Sequence, residues 1–169
     1  DIDYIKHCLE WLNLEEGFQP KYIVILAPTV PLRNPHLINE AIRKLIDTDK
    51  ATSLRSGHEI RESPYKLFGI NDDYFIGLFP NDPRLEYYNL PRQTFPPVYQ
   101  PNSYIDIIIV NDFKNTGLLH GAKILSFLTP DMGEVDRIED INFIKFKLEN
   151  SKNPIYKFLE KNYNKMENE

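Results

Sequence analysis

Two short runs constrain this chain more than anything else in it: YIVIL, from Tyr22 to Leu26, and YIDIIIV, from Tyr104 to Val110. Both are apolar and rich in β-branched residues, and neither alternates with polar residues in the way a half-solvated strand does. Runs of this kind read as strands buried on both faces, the type found in parallel sheets covered by helices. Helical patterns flank them. Ile2, Ile5, Leu9 and Leu12, with Trp11 alongside, recur at helical spacing and predict a helix over 2–13, ended by Glu15-Glu16-Gly17. After the first run, Asn34 offers an N-cap and Pro35 a first helical position. Leu37, Ile38, Ala41, Ile42, Leu45 and Ile46 then supply an apolar stripe. Helix, buried strand, turn, helix is the rhythm of an α/β fold.

Ala51–Ser56 is a further strand, and SPYKLFGINDDYFIGLF reads as two strands joined by a turn at Asn71-Asp72-Asp73. Residues 80–101 hold six prolines and several tyrosines. Proline blocks strand and helix interiors, so this stretch predicts an extended arm. A short helix is expected over 111–119, a strand over Lys123–Leu128, an amphipathic helix in DRIEDINFIKFKLE through Ile138, Ile141, Ile144 and Leu148, and a last helix over 153–164. There are no internal repeats, and 169 residues suit one domain.

Composition closes off some functions. The net charge of −5 argues against a nucleic-acid partner, which calls for a basic face. No apolar run approaches the ~20 residues of a membrane span, and no signal peptide is visible. Cys8, the one cysteine, cannot form an internal disulfide. A reducing cytoplasm is therefore expected, with Cys8 as a packed small hydrophobe beside Leu9 and Leu12.

Three groups of residues could carry chemistry. The loop Pro28-Thr29-Val30-Pro31-Leu32-Arg33 follows the carboxyl end of a buried strand, where open α/β sheets bind ligands. Thr29 offers a hydroxyl, and Arg33 a fork for phosphate or carboxylate. A rigid turn that merely positions the next helix is the competing reading. Glu134 and Asp136, at i and i+2, point the same way on an extended segment and suit Mg²⁺; a solvated acidic turn capping the next helix is the alternative. Lys66, Arg84 and Arg92 lie near aromatic residues and could hold an anion, or could be ordinary surface charge. His7, His36, His58 and His120 show no metal-ligand spacing, and no P-loop or glycine-rich dinucleotide fingerprint is present.

Taken in order, the segments LEWL, VILAPTVPLR, ESPYK, RQTFPPVYQPNSYIDII and EVDRIED resemble the acylneuraminate (CMP-sialic acid) cytidylyltransferase family up to about Glu149. They look like that family's LQPTSPLR strand-loop, its Pro-x-Lys segment, its RQ-x-LP … Y-x-x-NG stretch and its DIDTEED. The resemblance implies a Rossmann-like, nucleotide-diphospho-sugar-transferase fold with a mostly parallel sheet. It implies a small dimerisation and sugar-binding lobe over 62–103. The implied reaction joins CTP to a nonulosonic acid sugar, releasing pyrophosphate, with Mg²⁺ and a homodimer. Glu134 and Asp136 fall on the metal-binding positions, and Asp136 is the implied catalytic residue. Lys66, Arg92, Gln93 and Asn102 fall on the sugar-acid site, while Thr29 and Arg33 line the cleft. A metal-dependent sugar-nucleotide glycosyltransferase is a less favoured enzyme class, because its acidic pair usually ends a mid-domain strand. A non-catalytic dimerisation or binding module is the reading outside enzymes.

This sequence departs from the family at Ala27 (usually Gln), Ser103 (Gly), Asp106 (Tyr) and Glu134 (Asp). These changes suggest a divergent branch using another acid sugar. Nothing in the sequence matches the family's Gly-, Arg- and Lys-rich phosphate loop or its first βα units. The expectation is a piece of a longer protein, inactive alone, with an unpaired apolar edge at the Tyr22 strand.

Overall fold

The computed structural model describes residues 2–149, 157–158 and 161–162. Of the helix expected over 153–164, residues 157–158 and 161–162 are described and are helical, and the rest lies outside the described residues. Helix α1 (Ile2–Glu15) leads into strand β1 (Tyr22–Ile25), then α2 (Pro35–Ile46) and β2 (Ser53–Glu59). A hairpin of β3 (Phe68–Asn71) and β4 (Tyr74–Gly77) follows. Then come the long β5 (Tyr99–Ile109), α3 (Val110–Thr116), β6 (Ile124–Leu128) and α4 (Ile138–Glu149). The fold is mixed α/β.

The sheet runs β1-β5-β2-β6. β1, β2 and β6 point the same way, but only β2 and β6 pair in parallel, while β5 is antiparallel to both β1 and β2. The expectation of a mostly parallel sheet is corrected to a mixed one. The cause is the arm. Residues after Glu59 leave the sheet and come back on the same edge, where the Ile60 N–H donates to the Val98 carbonyl at 3.1 Å. β5 must then run back against β2. Strand β5 begins at Tyr99, so the last residues of the expected 62–103 lobe belong to the sheet.

Burial follows from this order. Central β5 is buried on both faces: Tyr104, Ile105, Ile107 and Ile108 are all fully enclosed. β1 was expected to be the same and is not. It is an edge strand among the described residues, with Ile23 and Ile25 packed under α1 while Tyr22 and Val24 face outward. An all-apolar run carries no alternation from which the exposed side could be read. Leu37, Ile38, Ala41, Ile42 and Leu45 seat α2 on the other face with Val30, Leu54 and Ile107. Ile46, Ile138 and Ile141 lie outside the core, and Cys8 is exposed on α1 rather than packed.

The α2 start forms as expected, with the Asn34 side chain accepting from the His36 N–H at 3.0 Å. The hairpin turn also falls where expected, since Asp72 and Asp73 both have positive φ, the geometry of a two-residue hairpin loop. The arm is less extended than its prolines suggest. It folds through short 3₁₀ turns at Tyr87–Asn89 and Arg92–Thr94. It is held by an aromatic stack in which Tyr65 lies between Phe79, 4.1 Å away, and Phe95, 4.8 Å away.

Candidate functional site

The carboxyl ends of β1, β2 and β6 share one edge of the sheet, and the amino end of antiparallel β5 meets them there. A cavity of about 260 Å³ opens at this edge. Val30 from the loop after β1, His58 from β2, Gln100, Asn102 and Tyr104 from β5, and Asp131 and Glu134 after β6 all line it. The loop after β1 is tied to the acidic segment by the Val135 N–H donating to the Thr29 carbonyl at 2.8 Å.

Asn102 is buried and fixed. Its Nδ2 donates to Thr129 Oγ1 at 2.7 Å, and its Oδ1 accepts the Tyr104 N–H at 3.4 Å. Next to it Ser103 has φ +52°, inside a bulge where Arg55 pairs with Asp106 but Gly57 pairs with Pro101. Ser56 fills the gap by accepting the Ile105 N–H on its hydroxyl at 2.9 Å. One Glu134 carboxylate oxygen and His58 Nδ1 are buried with no hydrogen-bond partner among the described residues. Burial pushes the Asp131 carboxyl up, but the Gly133 N–H and Lys147 more than offset this and hold it below its usual value.

The sequence-derived candidates separate into distinct places. Asn102 and Glu134 meet at this cavity, with the Thr29 backbone beside them. Asp136 is exposed and does not line it. The helix-capping alternative is met by a neighbour: Asp140 Oδ2 accepts the N–H groups of Asp136 and Arg137 at 3.0 and 2.8 Å. Four of the five Arg33 N–H donors are engaged within the protein. Its guanidinium donates to the carbonyls of Tyr104, Val30, Ala27 and Ser103 at 2.6 to 3.0 Å. These bonds favour the rigid-turn reading of Arg33 over a substrate-facing fork. Arg33 is the clamp that fixes the loop against β5, and the rigid-turn reading describes it.

Arg92 and Gln93 line a second cavity, of about 310 Å³, in the lobe, with Glu59, Ser63 and Phe95. Arg92 lies 3.9 Å from Glu59, and the Ser63 hydroxyl is buried without a partner among the described residues. Lys66 donates to the Leu90 carbonyl at 2.9 Å beside this lobe cavity without lining it. Arg84 forms a fork with Asp82 at 2.9 and 2.6 Å, pulling that carboxyl down to about 2.

His58 and Asp131 escaped the sequence reading. A lone histidine in SLRSGHE carries no ligand spacing, and only the register of β2 against β5 brings it to Gln100. The missed group with the most unpartnered atoms is Arg55, Asp106 and His120. Asp106 Oδ2 lies 3.6 Å from Arg55 Nε and 3.9 Å from His120 Nε2, too far for hydrogen bonds. Burial raises the Asp106 carboxyl against the pull of Arg55 and His120, and burial lowers His120 despite Asp106.

Neither a scan against protein-family models nor a search of curated proteins finds a match for this chain. Among the described residues no helix is long and apolar enough to cross a membrane.

Proposed function

We propose that residues 1–149 form the sugar-acid portion of a cytidylyltransferase of the acylneuraminate type, in the nucleotide-diphospho-sugar-transferase fold. The observation that carries this reading is the meeting of Asn102, Glu134 and the Thr29 loop at the carboxyl ends of β1, β2 and β6, the place where open α/β sheets hold ligands. A second observation supports it. The family's Asn-Gly falls on Asn102-Ser103, and Ser103 sits in the left-handed region that glycine favours.

In this reading the anomeric hydroxyl of a nonulosonic acid attacks the α-phosphate of CTP, and pyrophosphate leaves. Glu134 and Asp136 would hold Mg²⁺, which neutralises phosphate charge when bound. Glu134 fits this role, since Mg²⁺ takes one or two carboxylates and keeps water and phosphate oxygens for its other positions, and Glu134 has a buried oxygen without a partner among the described residues, whereas Asp136 lies exposed outside the cavity. Asn102 orients the sugar, and the clamped loop at Thr29 excludes water from one side. Lys66, Arg92 and Gln93 hold the sugar carboxylate. Because they belong to the lobe and not to the sheet-edge cavity, they act across a homodimer. The setting is cytoplasmic, and activity belongs to a polypeptide that also carries a Gly-, Arg- and Lys-rich phosphate loop.

The test is pyrophosphate release from CTP and Mg²⁺ with a panel of nonulosonic acids, by a polypeptide carrying both that loop and these residues. Asp136→Asn should cut turnover by orders of magnitude with the fold intact. No release with any acid overturns the reading, and near-normal turnover in Asp136→Asn overturns the metal assignment. The exposed position of Asp136 favours one alternative, a dimerising module without catalysis.

A further inference from the structure

Helix α1 covers only part of its face of the sheet. Ile5 and Leu9 pack on Ile23 and Ile25 of β1 and Ile108 of β5. Leu54 of β2, with Leu125 and Phe127 of β6, turns the other way, into the core under α2. In the parallel register of these two strands, Ser53 pairs with Ile124, Arg55 with Ser126 and Gly57 with Leu128. Side chains alternate along a strand, so these three pairs share the side of the sheet on which α1 lies. There Ile124 and Leu128 are about half exposed, as is Tyr99 at the start of β5. A groove of about 420 Å³ is lined by these three with Pro101, Ser126 and Arg55, and it shares only Pro101 with the sheet-edge cavity. Its volume is that of an ordinary small-molecule site.

Two features say what such a groove takes. Gly57 leaves its floor bare, because β5 comes so close that a Cβ there would lie 2.9 Å from the Gln100 carbonyl oxygen. A flat floor between half-exposed apolar side chains suits a ring or a short chain. The second feature is charge. Arg55 is the one charged side chain among the described residues of the lining. Its Nε is buried, 3.6 Å from Asp106 Oδ2, and is out of a ligand's reach. The side chain as a whole is 39% exposed, and its two terminal nitrogens have no hydrogen-bond partner among the described residues. Two parallel N–H groups at the end of a guanidinium match the two oxygens of a carboxylate. Asp106 already offsets part of the Arg55 charge, which favours a single negative charge over a phosphate dianion. The walls favour an apolar body over a polyhydroxylated one, whose hydroxyls would lose water without gaining partners.

We infer that the open face of β2 and β6 binds a small carboxylate with an apolar body, held by the terminal nitrogens of Arg55. This site goes beyond the cytidylyltransferase reading and does not rest on it.

Three probes with one body and different heads test it: 3-phenylpropionate, 3-phenylpropionamide and 3-phenylpropylamine. Dissociation constants are measured by NMR titration of the 169-residue chain. The carboxylate should move the amides of Arg55, Gly57, Ser126 and Leu128, and should bind about tenfold tighter than the amide, the value of one charge-assisted hydrogen bond. The amine should bind most weakly. Ser126→Phe, which fills the groove from an exposed position on β6, should remove binding of all three. Arg55→Gln should erase the carboxylate's advantage and leave the amide's binding unchanged. Equal binding of the three probes overturns the inference, as do shifts confined to other surfaces or an advantage that survives Arg55→Gln. A second copy seated on this face would expel the probe as protein concentration rises, and that result overturns it too. The wild-type comparison of probes decides the matter even where Arg55→Gln fails to fold. Absence of pyrophosphate release would remove the proposed function and leave this result standing.

Discussion

Arg33 had the residue type of a phosphate ligand and the position of one, yet its surroundings give it another task. Four carbonyls from the loop and from β5 accept its protons. Lysine offers a point charge in place of a planar fork, so it cannot serve them together. Arg33→Lys should cost about 2–3 kcal/mol in denaturant unfolding, because buried carbonyls are left without donors. A loss within experimental error would mean that the loop is held by something else. His120 makes a prediction in pH. Its folded value lies below the ordinary 6.5, so the unfolded chain takes up the proton first. Stability should fall as pH drops from neutral through 6.5 toward that folded value. Asp106 works in the opposite sense, its ionisation costing stability as pH rises above 3.8. Replacing His120 with Asn should flatten the acid-side loss in unfolding midpoint; an unchanged slope would place the titration elsewhere.

Elements were more legible than residues wherever local chemistry decided the outcome. The Asn34 cap with Pro35, and the paired aspartates of the β3–β4 turn, act within a few residues, and both form where the sequence puts them. The exposed side of β1 and the direction of β5 depend on neighbours distant in sequence. An apolar run such as YIVIL contains no mark of either. His58 and Asp131 were hidden for the same reason, being joined only by strand register and the return after β6. At this scale Gly77 is the sharpest probe. A Cβ there would collide with the Tyr87 hydroxyl, which accepts the Phe79 N–H at 2.7 Å. Gly77→Ala should displace Tyr87 and loosen the lobe by about 1–3 kcal/mol. Hydrogen exchange should then quicken at Phe79 while amides of β5 such as Ile107 keep their protection. Uniform acceleration would show the lobe and sheet to be one cooperative unit.

For the whole molecule, the distribution of apolar surface carries most of the argument. The hairpin is a two-stranded sheet with Ile70, Tyr74 and Phe75 each about three-quarters exposed. Isolated two-stranded sheets are marginal in water, and such surface suits a partner. If a second copy covers it, Phe75→Lys with Ile70→Lys should convert a dimer to a monomer in sedimentation without altering circular dichroism. A wild-type chain that sediments as a monomer at every concentration would exclude the dimer and the sharing of Arg92 across it. The α/β class of this molecule follows from two apolar runs and the helices between them. Its candidate site needed the reversal of β5 to bring Asn102 to Glu134.

Chemical-shift mapping tests that convergence most directly. Titrating a nonulosonic acid and Mg²⁺ into the isotopically labelled chain should move the amides of Thr29, Val30, His58, Asn102, Ser103 and Glu134 together, with a single saturation curve. Glu134→Gln and Asn102→Ala should each weaken that curve. Shifts scattered over unrelated surfaces, or none at the sheet edge at saturating acid, would contradict the account.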